Sequence, residues 1–309
     1  MLDIIGKRYV YFAISALVIL PGLILALFVG LPMAIDFTGG SLLEVRFTSG
    51  MAPPESEIIT VYNQLGVDNV LVQRSGEDII IARSPFLEDE TRQQVVSSME
   101  TRFQEEVELR RFESVGPTIG QEVTTRAALA VGVAALLVMA FVTFSFRGVP
   151  NAFRYGVCTV LAIIHDVAVV LSLGAIGGYF LGWQINALFL TALLMTIGFS
   201  AHDKIVVFDR IRENSNLYRR LPYETLVNHS VIQTLQRSIN TQLMTVEFML
   251  LALALFGGVT LREFAVVLLV GLFSGTYSSI FIAAPLLVTW EKREWRSRLK
   301  PSDSQEATA

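Results

Sequence analysis

Apolar runs long enough to cross a bilayer recur six times along the chain, and short polar stretches part them. About 20 apolar residues span the hydrocarbon, so spans are predicted near residues 9–31, 127–146, 155–180, 185–208, 238–259 and 264–290. The second and sixth contain no charged residue. Between the first and second the period changes. SLLEVRF (41–47), DNVLVQR (68–74), EDIIIAR (77–83) and ELRRFESV (108–115) read as strands. The middle two flank a Ser75-Gly76 turn. PESEIITVYNQLG (54–66) reads as a helix, with Pro near its start and Gly66 at its end. Glu88 to Glu106 reads as a polar helix with Val95, Met99 and Phe103 at spacings of four on its inner face. The order β-α-β-β-α-β is the split ferredoxin-like pattern. The fold expected is a polytopic α-helical membrane protein with six spans and a small α+β ferredoxin-like domain between helices 1 and 2.

Composition supports the membrane reading. Hydrophobic residues make up 52% of the 309, charged residues 17%, and the mean hydropathy is +0.54. A soluble domain carries about 25% charged residues. Lys7 and Arg8 precede the first apolar run as in a signal peptide, but the run is long and lacks a clear small-x-small cleavage site, so an uncleaved anchor is expected. Short loops set the orientation. Arg147 and Arg154, then Arg210, Arg212, Arg219 and Arg220, then Lys292, Arg293, Arg296, Arg298 and Lys300 mark one side of the membrane. The positive-inside rule puts that side, and both termini, in the cytosol. The expected divisions are an N-terminal end with the first span (1–35), an exported domain (36–122), five spans with a cytosolic loop at 209–236 (123–291), and a disordered cytosolic tail (292–309). The net charge of −4 gives no sign of nucleic-acid binding. Cys158 is the only cysteine, which excludes an internal disulfide and a thiolate metal site.

Candidate chemistry lies inside the spans. TALLMTIGFSAHDKIVVFDRIREN (191–214) holds His202, Asp203 and Lys204 between two apolar blocks, with no turn residue. An ionisable group taken out of bulk water points to a functional pathway; the bland alternative is the wet end of a spanning helix. Thr196 and Ser200 share a helix face with Asp203, or else bond back to their own helix. The third span carries His165 and Asp166, and Asp166 lies roughly 17 Å from the cytosolic end at ~1.5 Å per residue, near mid-membrane. In the fifth, Arg237, Thr241 and Thr245 form one stripe and Glu247 follows at mid-span. Arg237 against one of the aspartates is the expected pair, and a carboxylate that exchanges its arginine for a proton is a relay element. Gly271 and Gly275 form a small-xxx-small packing face. Gly39 and Gly40 predict a tight turn at the membrane exit, and Val115 to Gly120 a bend on the way back. A di-aspartyl protease would need Gly-x-Gly-Asp, where this chain has FSAHD and AIIHD. Adjacent His and Asp on a helix diverge by about 100°, which disfavours a metal site. A structural scaffold locked by buried polar pairs stays open. No catalytic cluster is expected.

DFTGG (36–40), VGPTIG (115–120), AIIHD (162–166) and GFSAHDKIVVFDRIREN (198–214) resemble the SecD/SecF family of Sec translocase subunits, on its SecF side, over nearly the whole chain. The family belongs to the resistance-nodulation-division superfamily. The resemblance implies a subunit of the bacterial cytoplasmic (inner) membrane that uses the proton motive force in late protein export. It implies six of twelve helices, with a SecD-type subunit as the other half. The other partners implied are a SecYEG-type channel, unfolded secretory polypeptides and membrane lipid. No cofactor is implied beyond protons as the coupling ion. Carried over by motif, the conducting aspartate falls on Asp203, its arginine on Arg237 and the nearby threonine on Thr241. Depth alone favours Asp166; the resemblance favours Asp203 and leaves Asp166 beside it. His202 stands where the family often has Asn. Asp36, Phe37, Thr38, Gly39 and Gly40, with Gly116 and Pro117, are the motif residues outside the spans. Half of another proton-coupled exporter, or a non-conducting scaffold, are the alternatives.

Overall fold

The computed structural model describes residues 3–149, 151–240 and 248–292. The chain divides into two compact units, Met33–Leu129 and Met1–Pro32 with Ala130–Ala309.

The smaller unit opens with a one-turn helix, α2 (Ile35–Thr38), after the long α1 (Arg8–Val29). It continues through β1 (Gly40–Phe47), α3 (Glu55–Gln64), β2 (Leu71–Ser75), β3 (Ile79–Ser84), α4 (Asp89–Phe103) and β4 (Val107–Val115). The strands form one antiparallel sheet in the order β2-β3-β1-β4. The period of two in β1 turns Leu43, Val45 and Phe47 to one face, where α3 supplies Ile58, Val61 and Tyr62 and α4 supplies Val95 and Met99. Phe103 is half-buried, edge-on to Phe47 with ring centroids 5.7 Å apart. The strand at 68–74 starts later than expected, because Asn69 adopts a positive φ of 58° and keeps the backbone out of the ladder.

The paired glycines turn the chain as expected, and the three motif residues before them are helical. Asp36, Phe37 and Thr38 lie in α2, and only the two glycines turn the chain, with φ of 73° at Gly39 and 126° at Gly40. Neither angle suits a residue with a Cβ. The bend at Gly116-Pro117 is also the start of a helix: α5 runs from Pro117 to Ser145, ten residues before the predicted span. Proline suits that first position, since its missing N–H has no helical partner there anyway. Gly120 lies hard against the glycine turn, where a Cβ would stand 2.6 Å from Gly39 N and 3.0 Å from Phe37 O.

The larger unit is helical. It holds α1, the rest of α5, α6 (Ala152–Leu181), α7 (Ala187–Leu217), α8 (Tyr223–Ser238), α9 (Phe248–Phe256), α10 (Val259–Ser278) and α11 (Ala284–Glu291). A single π turn, Ser279–Ala283, joins α10 to α11. Pro285 offers no N–H to the Phe281 carbonyl, and its ring crowds that carbonyl, which accounts for the widened turn just before it. Among the described residues five helices are long and apolar enough to cross a membrane: Arg8–Val29, Pro117–Ser145, Ala152–Leu181, Ala187–Leu217 and Leu261–Glu291. Of the predicted fifth span, residues 241–247 lie outside the described residues, as does most of the predicted tail. The helix α7 carries FDRIREN past the predicted end of the span, and α8 starts at Tyr223, where Pro222-Tyr223-Glu224 reads as a helix start, so the 209–236 segment is mostly helical. The expected small-residue face packs α10 on α7. A Cβ on Gly271 would stand 2.1 Å from Thr196 Oγ1, and one on Gly275 3.1 Å from Ser200 Cβ.

One carboxylate ties three elements together at the end of the bundle that carries α8. Glu224 accepts from Arg8 Nη1 at 2.6 Å and from Lys292 Nζ. The Lys292 hydrogen bond holds the Glu224 carboxyl below the usual range; partial burial opposes this and Arg8 adds to it. A depressed carboxyl contributes stability that is present above the unfolded-state range and lost as pH falls through the lower folded-state value. The melting midpoint of the wild type should therefore exceed that of Glu224→Gln near neutrality, and the gap should close on acidification, as followed by thermal unfolding in detergent. In the smaller unit Met99→Ala should cost about 2–5 kcal/mol. Tyr62→Phe should be neutral or stabilising, because the buried Tyr62 hydroxyl has no partner among the described residues. Denaturant unfolding followed by circular dichroism measures both.

Candidate functional site: two buried carboxylates

Asp166 on α6 and Asp203 on α7 are 0% and 5% exposed. A buried carboxylate persists only with its oxygens satisfied. Each of these takes its donors from other elements, and α10 with its π turn serves both.

Asp166 is the more heavily bonded. Its Oδ1 accepts from Ser274 Oγ at 2.7 Å and lies 3.0 Å from His165 Nδ1. Its Oδ2 accepts from Ser200 Oγ at 2.5 Å, from Ser278 Oγ at 2.7 Å and from Lys204 Nζ at 2.9 Å. Lys204 is fully buried. Its ammonium also lies against Ser200 Oγ, 2.9 Å from Ser278 Oγ and 3.4 Å from the Ser200 carbonyl. Asp203 has no such cation among the described residues. Its Oδ1 accepts from Ser238 Oγ at the end of α8, at 3.0 Å, and its Oδ2 from Ser279 Oγ at 2.6 Å. Ser278 and Ser279 are neighbours in sequence, yet one serves each carboxylate. Successive helical residues diverge by about 100°, so one dipeptide can face two clusters. Asp203 and Lys204 divide in the same way along α7.

The expected pairing of Arg237 with an aspartate is not what forms. Arg237 is exposed and makes no ion pair with another described residue, while Lys204 holds Asp166 and hydroxyls hold Asp203. The reason is angular. Arg237 precedes Ser238 on α8, and it is Ser238 whose position faces α7. Thr241, Thr245 and Glu247 lie outside the described residues. Ser200 sits on the predicted face but serves Asp166, and Thr196 bonds back to the Ala192 carbonyl at 2.9 Å. His202 is exposed. His165 does reach its neighbour Asp166 despite the angular separation, but among the described residues no three His, Cys, Asp or Glu side chains converge as a metal would require. Ser274, Ser278 and Ser279 were not singled out from sequence, and Lys204 was noted beside Asp203 but not as the partner of Asp166. The available signal was Lys204 four residues after Ser200, on the same face and inside an apolar block.

The chain matches the family described as Protein export membrane protein SecD/SecF, C-terminal, over residues 95–293, and the SecD/SecF GG Motif over residues 24–50. It is 62% identical over 300 residues to the protein translocase subunit SecF of Anaerolinea thermophila, covering 97% of each chain. Against the subunit of the same name from Thermobaculum terrenum it is 41% identical, covering 96% of each. Among solved structures it resembles SecDF from Thermus thermophilus, described as a translocon-associated membrane protein, with a TM-score of 0.80 and 32% identity. That match covers 94% of this chain and 39% of the longer SecDF chain.

Removing one partner of a buried ion pair strands the other, at a cost of about 3–5 kcal/mol. Lys204→Met should be destabilised on that scale, whereas Lys204→Met with Asp166→Asn should recover most of the loss. A double-mutant cycle on thermal unfolding in detergent reads the coupling.

Proposed function

Because this chain belongs to the SecD/SecF family of protein-export membrane proteins, we propose that it couples proton entry among its spanning helices to late-stage protein export across the bacterial cytoplasmic membrane. It is a multi-pass membrane subunit acting in protein export. The observation that carries the coupling is the contrast between its two buried carboxylates: Asp166 has a resident ammonium, and among the described residues Asp203 has only hydroxyls. A proton arriving at Asp203 removes a buried charge that has no cation against it. A proton arriving at Asp166 strips Lys204 of its counter-ion. Asp203 is therefore the group that changes charge, and Asp166 with Lys204 is the fixed pair beside it.

Arg237, next to Ser238, is the arginine that approaches Asp203 in another state of the cycle, with Thr241 beside it. Arginine stays charged throughout, so it serves as a movable counter-ion and not as a proton carrier. The membrane potential supplies about 2.3 kcal/mol per charge per 100 mV, enough to bias a two-state pair. The second half of the machine is a SecD-type subunit. This is supported by the solved SecDF, in which the matched region is 39% of one longer chain. A SecYEG-type channel, unfolded secretory polypeptides and lipid complete the partners. Both termini are cytosolic in this reading, residues 36–122 are exported, and the chain crosses the membrane six times. The exported unit is taken as ferredoxin-like, supported by its β-α-β-β-α-β order and the strand order β2-β3-β1-β4. A non-conducting scaffold is the second reading, and the fully bonded Asp166–Lys204 pair is what favours it.

Asp203→Asn keeps the shape and removes the titration. In inverted membrane vesicles it should abolish the response of late translocation to a proton gradient while leaving the ATP-driven phase and complex assembly intact. A variant that responds as the wild type does shows that Asp203 is not the coupling group and moves the coupling to Asp166. Arg237→Lys should retain more activity than Arg237→Ala, because a charge remains although the fork is lost.

A further inference from the structure

The Lys204 ammonium occupies an oxygen cage with the makeup of an alkali-cation site. Around Nζ stand one carboxylate oxygen, Asp166 Oδ2 at 2.9 Å, two hydroxyl oxygens, Ser278 Oγ at 2.9 Å and the closer Ser200 Oγ, and the Ser200 carbonyl at 3.4 Å. Hard oxygens carrying a single negative charge suit a monovalent cation. A divalent ion draws on several carboxylates, and among the described residues no acidic cluster of that kind exists. Lys204, Asp166 and Ser278 are all 0% exposed and Ser200 is 1% exposed, so the cage is closed and shaped. The other Asp166 oxygen is held by Ser274 and faces His165, which fixes the carboxylate plane independently of the lysine.

An ammonium and a potassium-sized ion make oxygen contacts of similar length, and sodium needs only slight contraction. The difference is the tether. Lysine delivers its charge on a flexible four-carbon stem as a compact point charge, here from α7 itself. We propose that Lys204 is the specificity-determining residue of this site: a built-in cation that keeps sodium and potassium out of the Asp166 cage. Protons are then left as the ion that can act on the neighbouring Asp203. The exclusion stands on the cage geometry alone; its consequence for the coupling ion rests on the proposed role of Asp203.

Lys204→Ser tests it, since it withdraws the stem and the ammonium while leaving every other cage oxygen in place. The probes are sodium chloride and potassium chloride against choline chloride at equal ionic strength, with the full chain in nanodiscs. A ligand that binds only the folded state raises its melting midpoint. Sodium or potassium should raise the midpoint of Lys204→Ser by roughly 5 °C or more relative to choline. The wild type should show no such difference, and neither should Lys204→Ser combined with Asp166→Asn, which lacks the charge a cation would answer. A folded Lys204→Ser chain whose midpoint is the same in all three salts overturns the proposal. So does a Lys204→Ser chain that cannot be recovered even in sodium or potassium while the double variant can, because the free ion then fails to replace the ammonium. Export by the wild type driven by a sodium gradient alone would overturn the coupling-ion consequence without touching the binding result. Loss of proton-driven export in Asp203→Asn is read separately and bears only on the coupling reading.

Discussion

Withdrawing carboxylates from water is the operation on which the helical unit depends. The bare cost of burying an ionised carboxylate exceeds anything a single packing contact returns, so the surrounding helices must be arranged to meet it. The arrangement here is two-fold. Asp166 is met by a cation and three serine hydroxyls drawn from α7 and α10, and Asp203 by hydroxyls from α8 and the π turn. Close approach of α10 to α7 is a precondition. Gly271 and Gly275 allow it, since a side chain at Gly271 would collide with Thr196. The glycine face, the serines and the charged pair are therefore parts of one solution, and a change in any of them is felt by the others.

The smaller unit solves an easier problem and solves it conventionally. Alternation along β1 and spacings of four along α4 bury one apolar layer. Its outer strands, β2 and β4, expose mostly polar and charged side chains, which discourages edge pairing with other chains. Its demanding feature is the junction at Gly39 and Gly40, where φ is positive and a Cβ would stand 2.7 Å from Pro117 Cα and 2.6 Å from the Ser84 carbonyl oxygen, respectively. The motif thus has a steric reason independent of any ligand.

These two units also mark what could be read from the chain. Spans and strands were legible because their signals are local: a run of apolar residues, or alternation over six or eight positions. Asp166 and Asp203 were legible because a carboxylate inside an apolar run is anomalous by itself. The partnerships were not. Lys204 meets Asp166 across 38 positions, and whether two side chains on different helices face each other depends on helix rotation, which no local pattern encodes. Lys204 stood out beside Asp203 as a charge inside an apolar helix, but nothing in the local pattern said which carboxylate it faces. Arg237 was matched to an aspartate by its charge and by the motif, and its neighbour Ser238 holds that place instead. The early start of α5 was legible in part, since Gly116-Pro117 announces a change of direction but not the long helix that begins there.

The widened turn at Ser279–Ala283 has a mechanical meaning. Such a turn is one residue inserted into a helix that otherwise keeps its hydrogen-bond ladder, and inserted residues of this kind act as movable dislocations. Passing the dislocation one position along the chain rotates the residue it crosses by about 100° and advances it by about 1.5 Å, while the rest of the rod stays nearly still. Ser278 stands at its leading edge and Ser279 is its first member. A displacement of that size would carry a hydroxyl from one carboxylate toward the other with no helix sliding through the bilayer. The π turn thus stands where both buried acids are served, with Ser278 on one and Ser279 on the other.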